Sequence, residues 1–408
     1  MKKRLLFTVA SLLSGFMFAQ TDSSTVENDT LIPRDFQLTF ITPIGTNGID
    51  FNKVENKISI NILAGHHGGL DGAEFGGFIN SIQNDATGAQ FAGFANSVLG
   101  EVKGVQFAGY ANYSGKVTGA QGSGFLNIAM DTVTGTQMSG FANYAHRSHK
   151  GFQGAGFMNV VRGNATGIYY VGFTNLTSGH VKGFQGSRYF NGAQKGVKGV
   201  QLAGFANYSM GKVEGAQLSG FFNFAKVLKG VQVGFINYTD SIESGAMIGF
   251  LSFARNGYHH FELEGNESTY GNVNFKTGTK KFYNILSVGG SVKENELFWG
   301  FGYGIGTAFD FGKKLGMNID LTASHINKDQ GFSSDLNMLS KLKPNVSYSF
   351  HKNFTIYGGP SLNLLLSETN GSGNAPQSEG LVGHSFYNKN IGDNKVKMFF
   401  GFQGGIRF

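Results

Sequence analysis

The sequence predicts an all-β protein in two parts, a parallel β-solenoid followed by an antiparallel β-barrel of the outer-membrane type. Three observations carry this prediction. A unit of about sixteen residues repeats through nearly half the chain, with Gly, Gln, Gly, an aromatic and Asn at fixed offsets. The C-terminal third alternates apolar and polar residues over segments of strand length. The composition, with 63 Gly and 40 Phe but only 5 Pro, lacks the strict Gly-X-Y period of collagen and points to sheet.

Residues 1–20 read as a cleaved export signal. Lys2, Lys3 and Arg4 precede an apolar run from Leu5 to about Phe18, and the small or polar Ala19 and Gln20 follow. The run is too short for a membrane span, and no later run of eighteen apolar residues offers a spanning helix. With no cysteine, the chain has neither disulfides nor a lipid-modified N-terminal Cys, so packing alone must hold it. Loss of the three basic signal residues lowers the formal charge from +7 to +4, too mild to argue for nucleic acid as a partner. Residues 21–71 read as a linker with capping strands.

The repeat region covers 72–256. Counting its first Gly as position 1, twelve units begin at Gly72, Gly88, Gly104, Gly119, Gly135, Gly151, Gly167, Gly183, Gly199, Gly215, Gly230 and Gly245. Position 3 is Gln in nine units, including Gln90, Gln106 and Gln121. Asn closes eleven, including Asn96, Asn112 and Asn127, and an aromatic such as Phe94, Tyr110 or Phe125 stands two residues before the closing position in all twelve. Within the unit bodies only Glu74 and Arg188 are charged, while Lys103, Lys150, Lys182, Lys198, Lys212, Glu214 and Lys229 fall in the spacers. The bodies are therefore expected to be packed and the spacers wet.

Two architectures use this pattern. In a solenoid each unit is one coil of two strands and two corners, and Gln and Asn stack on their own copies about 4.8 Å apart, giving a rod roughly 55 Å long. In one large continuous transmembrane barrel each unit is a strand and a turn, with Val105, Phe107, Gly109, Ala111 and Tyr113 facing lipid. Single-residue losses separate the two. They fall in the spacers before Gly119 and Gly230 and just before the second Gly of the last two units. A straight strand would turn every later side chain to the opposite face after such a loss, whereas a corner absorbs it, which favours the solenoid. At unit seven Tyr169 replaces Gln, and at unit eight Arg188 replaces Gly; both substitutions suggest local bulges.

Residues 257–408 read as the barrel, with strands expected at 258–264, 270–278, 282–292, 297–311, 315–326, 338–350, 354–367 and 396–408. Met317, Ile319, Leu321 and Ala323 oppose Asn318, Asp320, Thr322 and Ser324, and Leu342, Val346, Tyr348 and Phe350 oppose Lys343, Asn345 and Ser347. Short connections at one end face long ones at the other, as in outer-membrane barrels. In the last strand Phe400, Phe402, Gly404, Ile406 and Phe408 form one apolar face, similar to the C-terminal signal strand of such barrels. Counted from a periplasmic C-terminus, eight strands place residue 257 in the periplasm.

The run "GVQLAGFANYS" together with "GFLSFARNGYHHFELEGNES", "KKFYNILSVGG" and "WGFGYGIGT" resembles an uncharacterised family of bacterial surface-repeat proteins with a C-terminal β-rich region. The resemblance implies a place in the cell envelope and supplies no catalytic residues. Candidate chemistry is sparse. His260, Glu262 and Glu264 share one face of an expected strand and could hold a divalent metal, though polar lining of a barrel interior accounts for them more simply. His66 with His67, and Ser324 with His325, are adjacent strand residues that point apart. The glycines of "GFGYGIGT" lack the helix that a phosphate loop needs. The expectation is a non-enzymatic envelope protein for display, adhesion or ligand binding, without cofactor or metal. Its expected partners are outer-membrane lipid, the barrel-insertion machinery and a surface or periplasmic ligand. The alternative is a pore in which the repeats form barrel strands.

Overall fold

The computed structural model describes residues 31–293, 295–328, 332, 335–351, 354–369 and 380–408, so the expected export signal lies outside the described residues. It contains two sheets. The first runs from Ile32 to Ala254 and is built from parallel pairs, apart from one short antiparallel pairing of Ile44–Gly45 with Ile32–Ile41 at its start. The second runs from Tyr258 to Arg407 and is antiparallel throughout.

In the first sheet each unit pairs with the next at equivalent positions. Gly88, Gln90 and Phe91 lie opposite Gly104, Gln106 and Phe107, and Asn96 lies opposite Asn112. Parallel pairing of consecutive units is incompatible with a barrel of consecutive spanning strands, which must run antiparallel. The repeats therefore form a β-solenoid, and the single continuous barrel is excluded. A typical coil holds a strand of seven residues, such as Val133–Ser139, and one of four, such as Ala142–Ala145. A bend at the Gly-aromatic pair separates them.

The irregular lengths are taken up at corners. Register shifts occur between Val98 and Glu101 and between Ser209 and Lys212, both in spacers. The residue missing before Gly234 is skipped at the corner, so Val233 still faces Leu218 and Asn237 still faces Asn223. At units seven and eight the expected bulges are absent: Ala165–Val171 and His180–Ser187 pair in unbroken register. Tyr169 changes what fills the coil and Arg188 is exposed, but neither changes residue count, and only count moves the register.

The first Gly of each unit has a physical reason. These residues adopt φ between +111° and +155°, a region that L side chains rarely enter. A Cβ on Gly135 would also lie 1.9 Å from the Gly119 carbonyl oxygen. The positive φ and the close stacking of coils thus both require the same atom to be missing.

The second sheet follows the expected strand pattern closely, with strands such as Glu296–Phe311, Leu315–Lys328 and Asn337–His351. A short strand, Tyr387–Ile391, was not anticipated. All five of its residues are exposed and none alternates, so it carries no burial signal. The first strand, Tyr258–Asn266, pairs with its successor and also with the last, Asn394–Arg407, with Glu262 opposite Arg407.

The two sheets join end to end. The last solenoid strand, Leu251–Ala254, would expose an unpaired edge. Asn284 accepts a hydrogen bond from the Ser252 backbone N–H at 2.9 Å and donates to the Gly249 carbonyl at 2.7 Å, and Thr277 donates to the Ser252 carbonyl at 3.0 Å. Side chains of the antiparallel sheet therefore cap the solenoid.

Gly135→Ala is expected to destabilise the protein by more than about 2 kcal/mol, through strain at positive φ and the backbone clash. The exposed neighbour change Thr134→Ala should stay within about 0.5 kcal/mol. Denaturant titration followed by circular dichroism measures both.

Candidate functional site

The solenoid interior is polar along two lines. In one, each Gln donates from Nε2 to Oε1 of the Gln in the preceding coil: Gln106 to Gln90 at 3.0 Å, Gln121 to Gln106 at 2.7 Å, Gln137 to Gln121 at 2.8 Å. In the other, each Asn donates from Nδ2 to Oδ1 of the Asn in the following coil, as from Asn96 to Asn112 and from Asn112 to Asn127, both at 2.9 Å. The two lines therefore run with opposite polarity. The second Asn hydrogen reaches a backbone carbonyl near the corner of the next coil, that of Phe107 for Asn96 at 2.7 Å. Within an unbroken run each amide satisfies its neighbour, which makes burial of so many polar groups tolerable. Where the Gln line stops, at Tyr169 and at Met247, the Oε1 atoms of Gln153 and Gln232 are left without a partner among the described residues.

The ends of the Gln line explain the exceptions to the repeat. At its start four donors converge on Glu74, which is fully buried. They are Gln90 at 2.7 Å, Asn61 at 2.8 Å, His67 at 2.7 Å and Ser59 at 3.4 Å. A carboxylate only accepts, whereas an amide there would turn its own N–H on one of them. His67 presents its other ring nitrogen to the Gly69 carbonyl at 2.8 Å. Both ring nitrogens thus face oxygen atoms, which fixes the ring between Glu74 and the Gly69 carbonyl. In coil seven Tyr169 interrupts the line and bonds instead to His149, through its ring Nδ1 at 2.9 Å and its carbonyl at 2.8 Å. Ala165 lies beside His149 in register and leaves room for the larger pair. Burial holds the His149 imidazole down to about 4 and pushes the Tyr169 phenol up.

The aromatics stand outside this interior. Phe94, Tyr110, Phe125 and their counterparts, from Phe78 to Phe250, form one stack along a corner with centroids 4.7–5.9 Å apart. Tyr303 of the second sheet extends the stack at 4.8 Å from Phe250. Many of these rings are some two-fifths exposed, and Phe75, Phe91, Phe107, Ile168, Tyr170 and Leu202 on the adjoining face are exposed as well. The expectation that the unit bodies are wholly packed is corrected here. The coil interior is taken up mainly by Gln, Asn and small apolar residues, with a few larger side chains such as Leu70, Ile82, Tyr169, Leu228 and Met247, and most of the other large apolar residues face outward.

The antiparallel sheet reverses the usual arrangement in a second way. Phe261, Leu263, Phe301, Leu321, Val346, Phe400, Phe402 and Phe408 are exposed, while Glu262, Glu264, Lys276, Asp320, Lys343 and Arg407 are buried. Lys276 lies 2.7 Å from Asp320 and 3.0 Å from Glu262. Arg407 bonds Glu262 at 2.6 Å, and Lys343 bonds Glu264 at 3.0 Å. Each buried charge has an opposite partner, which is what such burial demands. Towards the end remote from the solenoid the buried side turns apolar, with Phe298, Ile326, Leu339, Leu365, Leu381 and Phe399 in one cluster.

The residues singled out from sequence are placed as follows. His260, Glu262 and Glu264 do share a side of their strand, but the carboxylates are committed to cations and His260 faces the Phe408 carbonyl at 3.1 Å. Among the described residues no group of three acidic, His or Cys side chains is arranged to hold a metal. His66 and His67 diverge, to Ser81 and Glu74 respectively. The glycines Gly300, Gly302 and Gly304 lie inside a strand, with no helix after them. Sequence reasoning missed the Glu74–His67 pair and the Lys276 cluster, whose members come from distant strands. No family model, curated protein or solved structure matches the chain.

Gln121→Leu leaves a Gln106 acceptor and a Gln137 donor buried and unpaired, and should cost about 2–4 kcal/mol in chemical denaturation. His149 adds a pH dependence. Its folded value of about 4 lies below the unfolded one, so its contribution is whole above pH about 6.5 and falls away as pH drops towards about 4. Denaturation midpoints measured across that window should decline more steeply for the natural chain than for His149→Asn.

Proposed function

We propose that this is a non-enzymatic outer-membrane protein in which eight antiparallel strands close into a lipid-embedded barrel and carry the solenoid as a rigid binding rod. The observation that carries the reading is the inversion of the second sheet: exposed Phe, Leu and Val alternate along its strands with buried, paired charges. A water-soluble sheet has no reason to arrange itself this way, whereas a barrel in lipid does. The pairing of the first strand with the last, over Glu262–Asn266 and Gln403–Arg407, supports closure, which a lipid environment requires.

Connection lengths favour a side for the rod. The first strand starts and the last ends beside the solenoid, and at that end successive strands are two or three residues apart, as between Thr279 and Phe282 and between Phe311 and Leu315. At the other end the gaps between Lys328 and Asn337 and between Glu368 and Tyr387 are much longer. Short turns in outer-membrane barrels belong to the periplasm, so the rod is assigned to that side. The pore alternative is disfavoured: eight strands enclose only enough space for side chains, and Lys276, Arg407, Glu262 and Tyr283 occupy it.

An epitope inserted between Ser209 and Lys212 tests the assignment. Antibody should bind only after the outer membrane is opened; labelling of intact cells would instead put the rod outside, as a display element. Phe402→Arg, on the exposed face of the last strand, should lower the yield of folded barrel in membranes, at a cost of about 2–4 kcal/mol if the site lies near the bilayer midplane. An unchanged yield would argue against lipid contact there.

A further inference from the structure

The outer side of the seven-residue strands combines two features that the solenoid itself does not use. One is apolar. Positions 2 and 4 of each unit lie outside the coil, with Ile168, Tyr170 and Leu202 about half exposed. These positions share one surface, because the Phe184 ring lies where a Cβ on Gly186 would sit, next to the Tyr170 ring. The aromatic stack at Phe157, Phe173, Tyr189 and Phe205 follows along the corner.

The other feature is charge. The residue before each unit's first Gly forms a column in register, and across coils six to nine it reads Lys150, Thr166, Lys182, Lys198. All three lysines are exposed, and among the described residues no carboxylate pairs with them. From 132 to 211 the chain has seven Lys and Arg and no Asp or Glu, and the next member of the column, Glu214 beside Lys198, is paired with Lys212 at 3.4 Å. Lys182 and Lys198 sit in adjacent coils, about 4.8 Å apart along the axis, close enough for one phosphate to accept from both.

We infer that this face binds an anionic phospholipid-type amphiphile, its phosphate on the Lys150, Lys182 and Lys198 column and its acyl chains over Ile168, Tyr170, Leu202 and their neighbours. Charge selects among the possible occupants. A second copy of the chain, docked through the same segment, would bring a surface equally devoid of carboxylates and would be repelled. An acidic polysaccharide would satisfy the lysines and leave the apolar surface in water, where patches of this size are uncommon unless covered. An amphiphile satisfies both features at once.

The inference rests on the binding-rod reading but not on which side of the membrane the rod occupies. It is tested on the full chain in phosphatidylcholine nanodiscs, carrying a photoreactive benzoylphenylalanine at Ile168. The probes are soluble dihexanoyl phosphatidylglycerol and dihexanoyl phosphatidylcholine, with inorganic phosphate and polygalacturonate as competitors. Crosslinking to phosphatidylglycerol at least tenfold above phosphatidylcholine is expected. The combination Lys150→Glu, Lys182→Glu and Lys198→Glu should reduce it to the phosphatidylcholine level while the thermal melt is kept. Equal labelling of both lipids, persistence in the charge-reversed variant, an adduct of twice the chain mass, or displacement by polygalacturonate but not by excess lipid would each overturn the proposal. The epitope experiment can fail without affecting this result, and this one can fail with the rod still in place.

Discussion

Everything in the solenoid depends on the requirement that a buried amide find a partner for each of its hydrogens. The sixteen-residue coil is thin, so its interior is lined mostly by Gln, Asn, Val and Ala, with larger side chains such as Tyr169, Leu228 and Met247 at single coils. Amide groups at such density are affordable only if every coil presents the same group at the same height, and this turns a packing problem into a periodicity. The period, the parallel register and the positive-φ glycines all follow from that one condition. Opposite polarity of the Gln and Asn lines lets their side-chain dipoles offset one another along the axis.

The two parts of the chain answer opposite versions of the same problem. The solenoid puts neutral amides inside and satisfies them by stacking like on like. The antiparallel sheet puts charges inside and satisfies them by pairing opposites, with Lys276 set between Glu262 and Asp320. Both leave apolar residues outside. Their junction is polar and specific: Asn284 and Thr277 take up backbone groups that a thirteenth coil would otherwise have used.

Much of this was legible in the sequence. The repeat period, its corners and the alternation of the last eight long strands follow from spacing alone, because period two and period sixteen each leave a direct trace in residue order. Three things were not legible. The aromatic stack was visible as a column, but whether Phe94 and Tyr110 lie inside or outside depends on coil thickness, which spacing does not encode. The pairing of Glu74 with His67, and of Lys276 with Asp320, joins residues whose partnership follows from how coils and strands lie in space. The strand Tyr387–Ile391 is exposed on every residue and so has no burial pattern to read. Tyr169 looked like a defect and is instead a substitution compensated by His149 and Ala165.

The central claim is that successive units stack in register along one axis. Pulsed electron paramagnetic resonance tests it most directly, with one spin label at Lys103 and the second moved along the same column to Thr166, Lys198 or Lys229. These positions lie four, six and eight coils away in register. Stacked coils predict distances that grow linearly, at roughly 19, 29 and 38 Å. Distances that level off or shrink with the number of intervening units, as they would around a closed ring of strands, would contradict the account.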